Sequence, residues 1–175
     1  MKMKSLITSA LLLLALLLPS TAAAYDFEVD GIYYKINGNE VIVTYQREFP
    51  GLYNDYPGTV VIPVTVTYNG TTYSVTAIGD GAFCYCSGLT NIVIPNSVTE
   101  IGSWAFRGCS ELSDVYCYIT DFSSVSCGNE QFSLDNGDYS GRTLHVLQGT
   151  ADAYRADKNW YPYFGQIVED IFMGD

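Results

Sequence analysis

The feature that most constrains the fold is a twelve-residue pattern that occurs twice. IGDGAFCYCSGL begins at Ile78, and IGSWAFRGCSEL begins at Ile101, 23 residues later. The pairs that share this offset are Ile78 and Ile101, Gly79 and Gly102, Ala82 and Ala105, Phe83 and Phe106, Cys86 and Cys109, and Leu89 and Leu112. Repetition at such a period is typical of a solenoid, in which each coil buries its apolar side only against neighbouring coils. We therefore predict a solenoid.

Each repeat begins with a pattern that predicts a β-strand. Leu89, Ile92 and Ile94 have the spacing L-x-x-I-x-I, which follows the two-residue period of a strand and directs these side chains inward. Pro95 then ends the strand because it has no N–H to donate. Residues 104–107 are predicted to form a short helical turn.

The complete unit, L-x-x-I-x-I-P-N-S-V-x-x-I-G-x-x-A-F-x-G-C-x-x-L from Leu89, resembles the BspA-like branch of the leucine-rich-repeat proteins. These are mostly bacterial surface or secreted proteins. The resemblance implies a β-rich leucine-rich-repeat solenoid with short helical turns on its convex side. It also implies adhesion to host extracellular-matrix and plasma proteins, or contacts between bacteria.

The N-terminus has the pattern of a secretory signal peptide. Lys2 and Lys4 precede the apolar run 11–18, and three alanines end at Ala24. The run is short for a membrane span, so we expect cleavage after Ala24, no membrane insertion afterwards, and a secreted or cell-surface location.

The flanking segments predict caps on both ends of the solenoid. Asp30-Gly31 and Asn37-Gly38 separate three short β runs, which indicates an N-terminal β-meander cap. The C-terminal cap is expected to contain a helix over 151–160, capped by Thr150 and with Asp152 in its first turn. The expected division is a signal peptide 1–24, an N-terminal β-hairpin cap and loop 25–57, repeat coils 58–148 with the period clearest at 78–117, and a C-terminal cap 149–175.

The charge of the chain argues against nucleic acid as a partner. The sequence has eight Lys and Arg against 19 Asp and Glu, and a net charge of −11 repels nucleic acid.

The pairing of the cysteines is left open by the sequence. Because there are five, at least one is unpaired. Cys86 and Cys109 occupy equivalent positions, where they either form a disulfide or stack as small buried residues. Cys117 is predicted to point inward, and Cys84, which is equivalent to Arg107, is predicted to be an exposed thiol.

Stacked strands would place equivalent outward residues side by side in two rows. The polar row is Thr59, Asn91, Asp114 and Thr143, and the apolar and aromatic row is Val61, Val93, Tyr116 and His145. Such a pair of rows is suited to contact a protein segment or a glycan, with Tyr116 as the main anchor. The alternative is that these residues simply favour a sheet and face water.

Nothing in the sequence predicts an enzyme. His145 is the single histidine, so any triad must use it, and its place in a regular row explains it without catalysis. Asp135-Asn136-Gly137-Asp138 departs from a calcium loop at the position of Gly137 and lacks the distal glutamate. We therefore expect no cofactor and no metal.

The predicted function is that of an exported, monomeric adhesin that binds an extracellular protein through the exposed face of the repeat sheet. One alternative is a secreted glycan-binding or nutrient-capture accessory protein, in which Tyr53, Tyr56 and Tyr116 stack on sugar rings. Another is a structural or assembly module that uses the thiol of Cys84.

Overall fold

A computed structural model describes residues 24–46 and 56–172. The predicted signal peptide up to residue 23, and residues 47–55 of the predicted loop, lie outside this part. The strands are β1 (Phe27–Val29), β2 (Ile32–Asn37), β3 (Glu40–Thr44), β4 (Gly58–Val61), β5 (Thr65–Tyr68), β6 (Thr71–Ile78), β7 (Leu89–Ile94), β8 (Glu100–Ile101), β9 (Asp114–Cys117), β10 (Ser126–Cys127), β11 (Thr143–Leu147) and β12 (Gln166–Ile171). The helices are one α-helix, α1 (Ala151–Ala156), and 3₁₀ turns at Phe122–Ser124 and Tyr161–Tyr163.

The first sheet is fully parallel and contains the first strand of each coil. Its order is β12-β11-β9-β7-β4. The strand pattern predicted from Leu89 is confirmed, because Leu89, Ile92 and Ile94 are all completely buried. Cys117 is also buried at the predicted inward position. Alternation thus turns one side of the sheet into the core and leaves the other side to solvent.

The second sheet is mixed and lies on the other side of the coils. Its order is β1-β2-β3-β6-β8-β10, with β5 paired to β6. The predicted meander forms as β1, β2 and β3, and β3 joins β6 in parallel. A hairpin joins β5 to β6 through Asn69-Gly70, with both turn residues at positive φ. The capping role of the meander stays a prediction.

The turn predicted at 104–107 forms, with Arg107 N–H donating to Trp104 O at 3.1 Å, but it does not develop into a helix. The neighbouring backbone groups make hydrogen bonds between coils: Phe83 N–H donates to Ala105 O, and Phe106 N–H donates to Gln131 O, both at 2.7 Å. A helix would need those N–H groups for its own carbonyls, and the φ of +58° at Trp104 also breaks a right-handed helix.

Three phenylalanines form the inner layer of the solenoid. The rings of Phe83 and Phe106 lie 5.1 Å apart, and those of Phe106 and Phe132 lie 4.8 Å apart, with each pair within a few degrees of parallel. All three side chains are buried. The equivalence of Phe83 and Phe106 predicted from the repeat is therefore confirmed, and Phe132 continues the same stack.

Glycines set the spacing between coils. A Cβ atom added to Gly102 would lie 2.5 Å from the backbone nitrogen of Asp80 and 2.7 Å from the carbonyl carbon of Gly79. At Gly128 it would lie 2.3 Å from the backbone nitrogen of Ser103. Real Cβ atoms do not approach backbone so closely, so only glycine lets consecutive coils stack here.

The cysteines correct one prediction. No disulfide links the described cysteines, and Cys86 and Cys109 are stacked small residues in the core. The prediction of an exposed thiol at Cys84 is wrong, because that side chain is only 2% exposed and its burial raises the pKa of the thiol. The equivalent Arg107 reaches surface carboxylates because its side chain is long, whereas a cysteine is too short to leave the coil. The assembly function based on Cys84 therefore loses its chemical basis.

The C-terminal helix is shorter than predicted and is capped differently. It ends at Ala156, and the Thr150 hydroxyl donates back to Leu147 O at 2.7 Å rather than capping the helix. A carboxylate oxygen of Glu169 on β12 instead accepts the N–H of Ala151 at 2.8 Å. Asp152 does occupy the first turn, as predicted. No helix in the described ranges is long and apolar enough to cross a membrane.

A buried arginine holds the last coil to its neighbour. The guanidinium of Arg142 donates to the carbonyls of Leu112, Phe132 and Cys109 at 3.1, 2.8 and 3.1 Å. Its burial lowers the pKa of this side chain. These three carbonyls thus accept hydrogen bonds from a side chain, because the irregular segment between Phe132 and β11 offers them no backbone N–H.

Replacing Phe106 with alanine should remove the middle ring of the stack. We expect Phe106→Ala to lower the free energy of unfolding by about 3–5 kcal/mol, because a fully buried aromatic side chain leaves a cavity. Chemical denaturation followed by circular dichroism measures this loss. A loss below about 1 kcal/mol would contradict the importance of the stack.

Gly102→Ala tests the contact between coil backbones. We expect a loss of at least about 2 kcal/mol of unfolding free energy, since the added methyl group has backbone atoms on the opposing side. Gly141→Ala is the matched control, because a Cβ there meets no atom within 4 Å and its φ is not positive. Equal stabilities of the two variants would argue against glycine-controlled spacing.

Candidate binding face

The structure places the eight predicted face residues in the two predicted rows. In the polar row, Thr59 pairs with Asn91, Asn91 with Asp114, and Asp114 with Thr143. In the second row, neighbours pair in the same way in the order Val61, Val93, Tyr116, His145. All eight lie on the outward side of the parallel sheet, which we call the outer face. Their role in binding stays a prediction.

A fifth strand extends the outer face beyond what the sequence predicted. In β12, Gln166 pairs with Thr143, and Val168 pairs with His145. Both rows therefore gain one member. The segment was interpreted only as part of the cap. The signal that could have found it is the alternation of partly or fully exposed Gln166 and Val168 with buried Ile167.

His145 is the centre of a polar and aromatic cluster on this face. Its Nδ1 lies 2.8 Å from a carboxylate oxygen of Asp170, and its Nε2 lies 3.0 Å from one of Asp114. The ring of Tyr116 stacks on the imidazole with centroids 4.3 Å apart and an angle of 14°. The side chain of His145 is only 12% exposed. Contacts on both nitrogens and one ring face fix the orientation of the imidazole.

Sequence reasoning missed Asp170. The pairing of β11 with β12 shifts register between Val146 and Leu147, where the next partners are Glu169 and Ile171. Asp170 is the residue skipped at this bulge. A β-bulge changes the direction in which a side chain points, and no pattern in the local sequence predicts this bulge.

Asp114 connects the polar row across strands. Its carboxylate accepts hydrogen bonds from the Ser113 hydroxyl at 2.5 Å and from the Asn91 amide at 3.3 Å, besides its contact with His145. The Ser113 hydrogen bond is the main cause that lowers the pKa of Asp114, and the His145 contact adds to it. Because Asn91, Asp114 and His145 lie on three neighbouring strands, the centre of the face is held in one arrangement.

The cluster does not form the arrangement of a hydrolase triad. The Ser113 hydroxyl donates to Asp114, whereas a nucleophilic serine would donate to the histidine. Within residues 24–46 and 56–172, no group of three or more His, Cys, Asp or Glu is placed to hold a metal ion. The chemistry that the face offers is noncovalent contact, with Val61 as its most exposed apolar side chain at 59%.

One residue of the glycan alternative is placed elsewhere. Tyr56 was expected to stack on a sugar ring, but it is 4% exposed and its ring packs against Phe83. Its hydroxyl donates to Thr44 O and accepts the N–H of Tyr33, both at 3.2 Å. Tyr56 therefore joins the meander to the coils. Tyr53 lies outside the described residues, and Tyr116 lies on the outer face.

The network predicts a pH-dependent contribution to stability. Because the folded state lowers the pKa of Asp114 below its ordinary 3.8, the carboxylate stabilises the protein above that pH, and the effect is lost as pH falls through the folded pKa. We expect the stability difference between wild type and Asp114→Asn to be present at about pH 5 and to shrink below about pH 4.

Urea denaturation at several pH values measures this difference. Asp152→Asn is the control, since it removes the same charge from a fully exposed side chain whose ion pair with Arg155 contributes little. If the difference for Asp114→Asn stays constant down to pH 3, Asp114 does not stabilise the fold through its charge.

Comparison with known proteins identifies the repeat. A family model described as "BspA type Leucine rich repeat region (6 copies)" matches residues 65–136. No curated protein matches the chain. A leucine-rich repeat protein from Bacteroides capillosus superposes with a TM-score of 0.53 at 21% identity, over 82% of this chain and 97% of that one, which shows a common fold.

Two larger solved structures also match over 82% of this chain. A leucine-rich repeat protein from Bacteroides ovatus has a TM-score of 0.47 and 28% identity. A leucine rich cell surface protein from Faecalibacterium prausnitzii has a TM-score of 0.46 and 23% identity. The matches span 41% and 42% of those two chains. Residues 65–136 of this chain therefore form a leucine-rich repeat region of the BspA type.

Proposed function

We propose that this protein is exported and binds an extracellular protein through the outer face, acting as an adhesin. The observation that carries the proposal is the stack of Tyr116 on His145, held between Asp114 and Asp170. Tyrosine is among the residues that dominate the energetics of protein interfaces. Here it stands in the middle of the sheet rather than at its rim.

Rigidity of the cluster supports binding. An interface loses affinity when it must order mobile side chains, at about 0.5–1.5 kcal/mol for each one. The side chains of His145, Asp114 and Asn91 are already held by hydrogen bonds to one another or to neighbouring strands. A partner therefore meets an arrangement that needs little further ordering.

The pattern of the face suits a protein segment. One row offers Val61, Val93 and Tyr116 for apolar contact, and the parallel row offers hydroxyl, amide and carboxylate groups for hydrogen bonds. Interfaces combine these two elements as an apolar core and a polar rim. The net charge of −11 favours a partner surface that carries cations, as regions of matrix and plasma proteins do.

The export step rests on the N-terminal sequence. The two lysines, the apolar run and the alanines before Tyr25 support secretion, and the BspA-type repeat supports a location outside the cell. Export by the N-terminal signal peptide and binding through the outer face are thus consistent, because the proposed partner is an extracellular protein.

Binding of residues 25–175 to immobilised fibronectin and fibrinogen tests the proposal. We expect saturable binding to at least one of them, and a loss of about tenfold or more in affinity for the Tyr116→Ser, His145→Ser double variant, since removal of a central aromatic contact costs at least about 1.4 kcal/mol.

Tyr161→Ser is the matched control, because Tyr161 is 57% exposed and lies in a C-terminal 3₁₀ turn away from the outer face. It should bind as the wild type does. The adhesin proposal would be abandoned if the wild type bound neither protein. Binding that the double variant retains in full would place the contact on another surface.

A further inference from the structure

Trp104 combines an unfavourable backbone conformation with an exposed side chain. Its φ is +58°, in the left-handed region where a bulky residue is an outlier. Its indole is 49% exposed, whereas the other tryptophan, Trp160, is buried in the core at 1%. Among the described residues, no aromatic ring packs against Trp104. Burial of only about half of the side chain therefore offsets the backbone cost of Trp104 less than the full burial of Trp160 would.

The neighbouring coils show what this position prefers. Gly81 precedes Trp104 by one repeat and has a φ of +62°, which glycine adopts without penalty. Glu130 occupies the same place in the following coil, with a φ of +53°. The turn thus has a positive φ in these three coils, and glycine, which adopts it without strain, occupies only the first of them. A strained residue that the fold does not need is a reason to look for a function.

A groove lies beside Trp104. Its volume is about 530 Å³, within the range of roughly 300–1,000 Å³ found for small-molecule sites. Besides Trp104, the lining includes Asn129, Glu130, Lys158, Asn159 and Tyr163. The groove is open and mainly polar, and Trp104 is the largest aromatic side chain in its lining.

The polar groups of the groove divide into fixed and available ones. Glu130 is held by Arg107 at 3.4 Å, and Gln131 donates to Gly128 O at 2.7 Å at the base. The side chains of Asn129, Lys158 and Asn159 make no hydrogen bond or ion pair with any described residue. Two amides and an ammonium group therefore face the groove with their hydrogen-bonding capacity unused.

This combination matches the chemistry of a sugar ring. A pyranose has an apolar face of C–H groups, which packs on a flat aromatic surface, and a rim of hydroxyls that both donate and accept hydrogen bonds. Amide side chains can serve the rim in both directions. We propose that the groove beside Trp104 binds a pyranose unit of an extracellular glycan.

The proposed glycan site is independent of the outer face. Trp104 lies in the turn between β8 and β9, so it follows a strand of the second sheet, whereas Tyr116 lies on β9 of the parallel sheet. The protein would therefore hold a glycan and a protein partner on different surfaces. Failure of one site leaves the other untouched, and variants of Trp104 and Tyr116 report on them separately.

Trp104→Gly gives the sharpest test, because it is expected to weaken binding without loss of stability. The probe is an array of neutral and uronic-acid-containing oligosaccharides, applied to the purified full-length mature protein. We expect the wild type to bind at least one oligosaccharide, and Trp104→Gly to lose about tenfold or more in affinity, as removal of a stacked aromatic group does. Its melting temperature should equal or exceed that of the wild type, because glycine relieves the left-handed conformation.

Two further variants separate stacking from hydrogen bonding. Trp104→Phe keeps an aromatic face and should retain most of the affinity, and Asn159→Ala should weaken binding several-fold with an unchanged melting temperature. Tyr116→Ser is the control on the outer face and should bind the oligosaccharide as the wild type does. Bound oligosaccharide should also protect the exposed indole from quenching by iodide, while buried Trp160 is unaffected.

Three results would overturn the proposal. The first is an array on which the wild type binds no oligosaccharide. The second is full affinity in Trp104→Gly, which would place any glycan elsewhere. The third is a marked fall in the melting temperature of Trp104→Gly, which would show that the indole is kept for stability.

Discussion

Close contact between the backbones of successive coils is the constraint on which the rest of the structure depends. Gly102 lies against the backbone of Gly79 and Asp80, and N–H groups such as that of Phe106 donate to the carbonyls of the next coil. This spacing lets the phenylalanine rings stack and holds the parallel strands in register. The outer face follows from it, because side chains one coil apart can form rows only when the coils are evenly spaced.

Sequence predicted the parts of the fold that are local and periodic, and it failed where contacts between distant segments decide. The strand at Leu89 and the rows through Asp114 and Tyr116 could be predicted because a two-residue alternation within a 23-residue period fixes both inward direction and register. Three features could not be predicted: the cap of α1 by Glu169, the position of Asp170 and the carbonyl contacts of Arg142. Each depends on contact between segments whose sequences share no repeat or periodicity.

Residues that differ from their equivalents in other coils fall into two kinds: those that packing explains and those that are candidates for function. Cys84 departs from its equivalent Arg107 and is simply buried, so the difference has a packing explanation. Trp104 departs from its equivalent Gly81, leaves about half of its side chain exposed and has no easier backbone conformation. In a repeat protein, equivalent positions in other coils show which residues the fold accepts at a given place. A residue that is less favourable there than its equivalents is therefore a candidate for a functional role.

The pairing between coils also bears on how such a chain can change in evolution. Asn91 pairs with Asp114, 23 residues later, whereas Asp114 pairs with Thr143, 29 residues later, and the strands remain in register in both cases. Segments that connect the two sheets can therefore gain residues while the paired positions stay where they are. Insertions there would erase the repeat from the sequence long before they disturbed the solenoid, and they would supply new surface beside an unchanged scaffold.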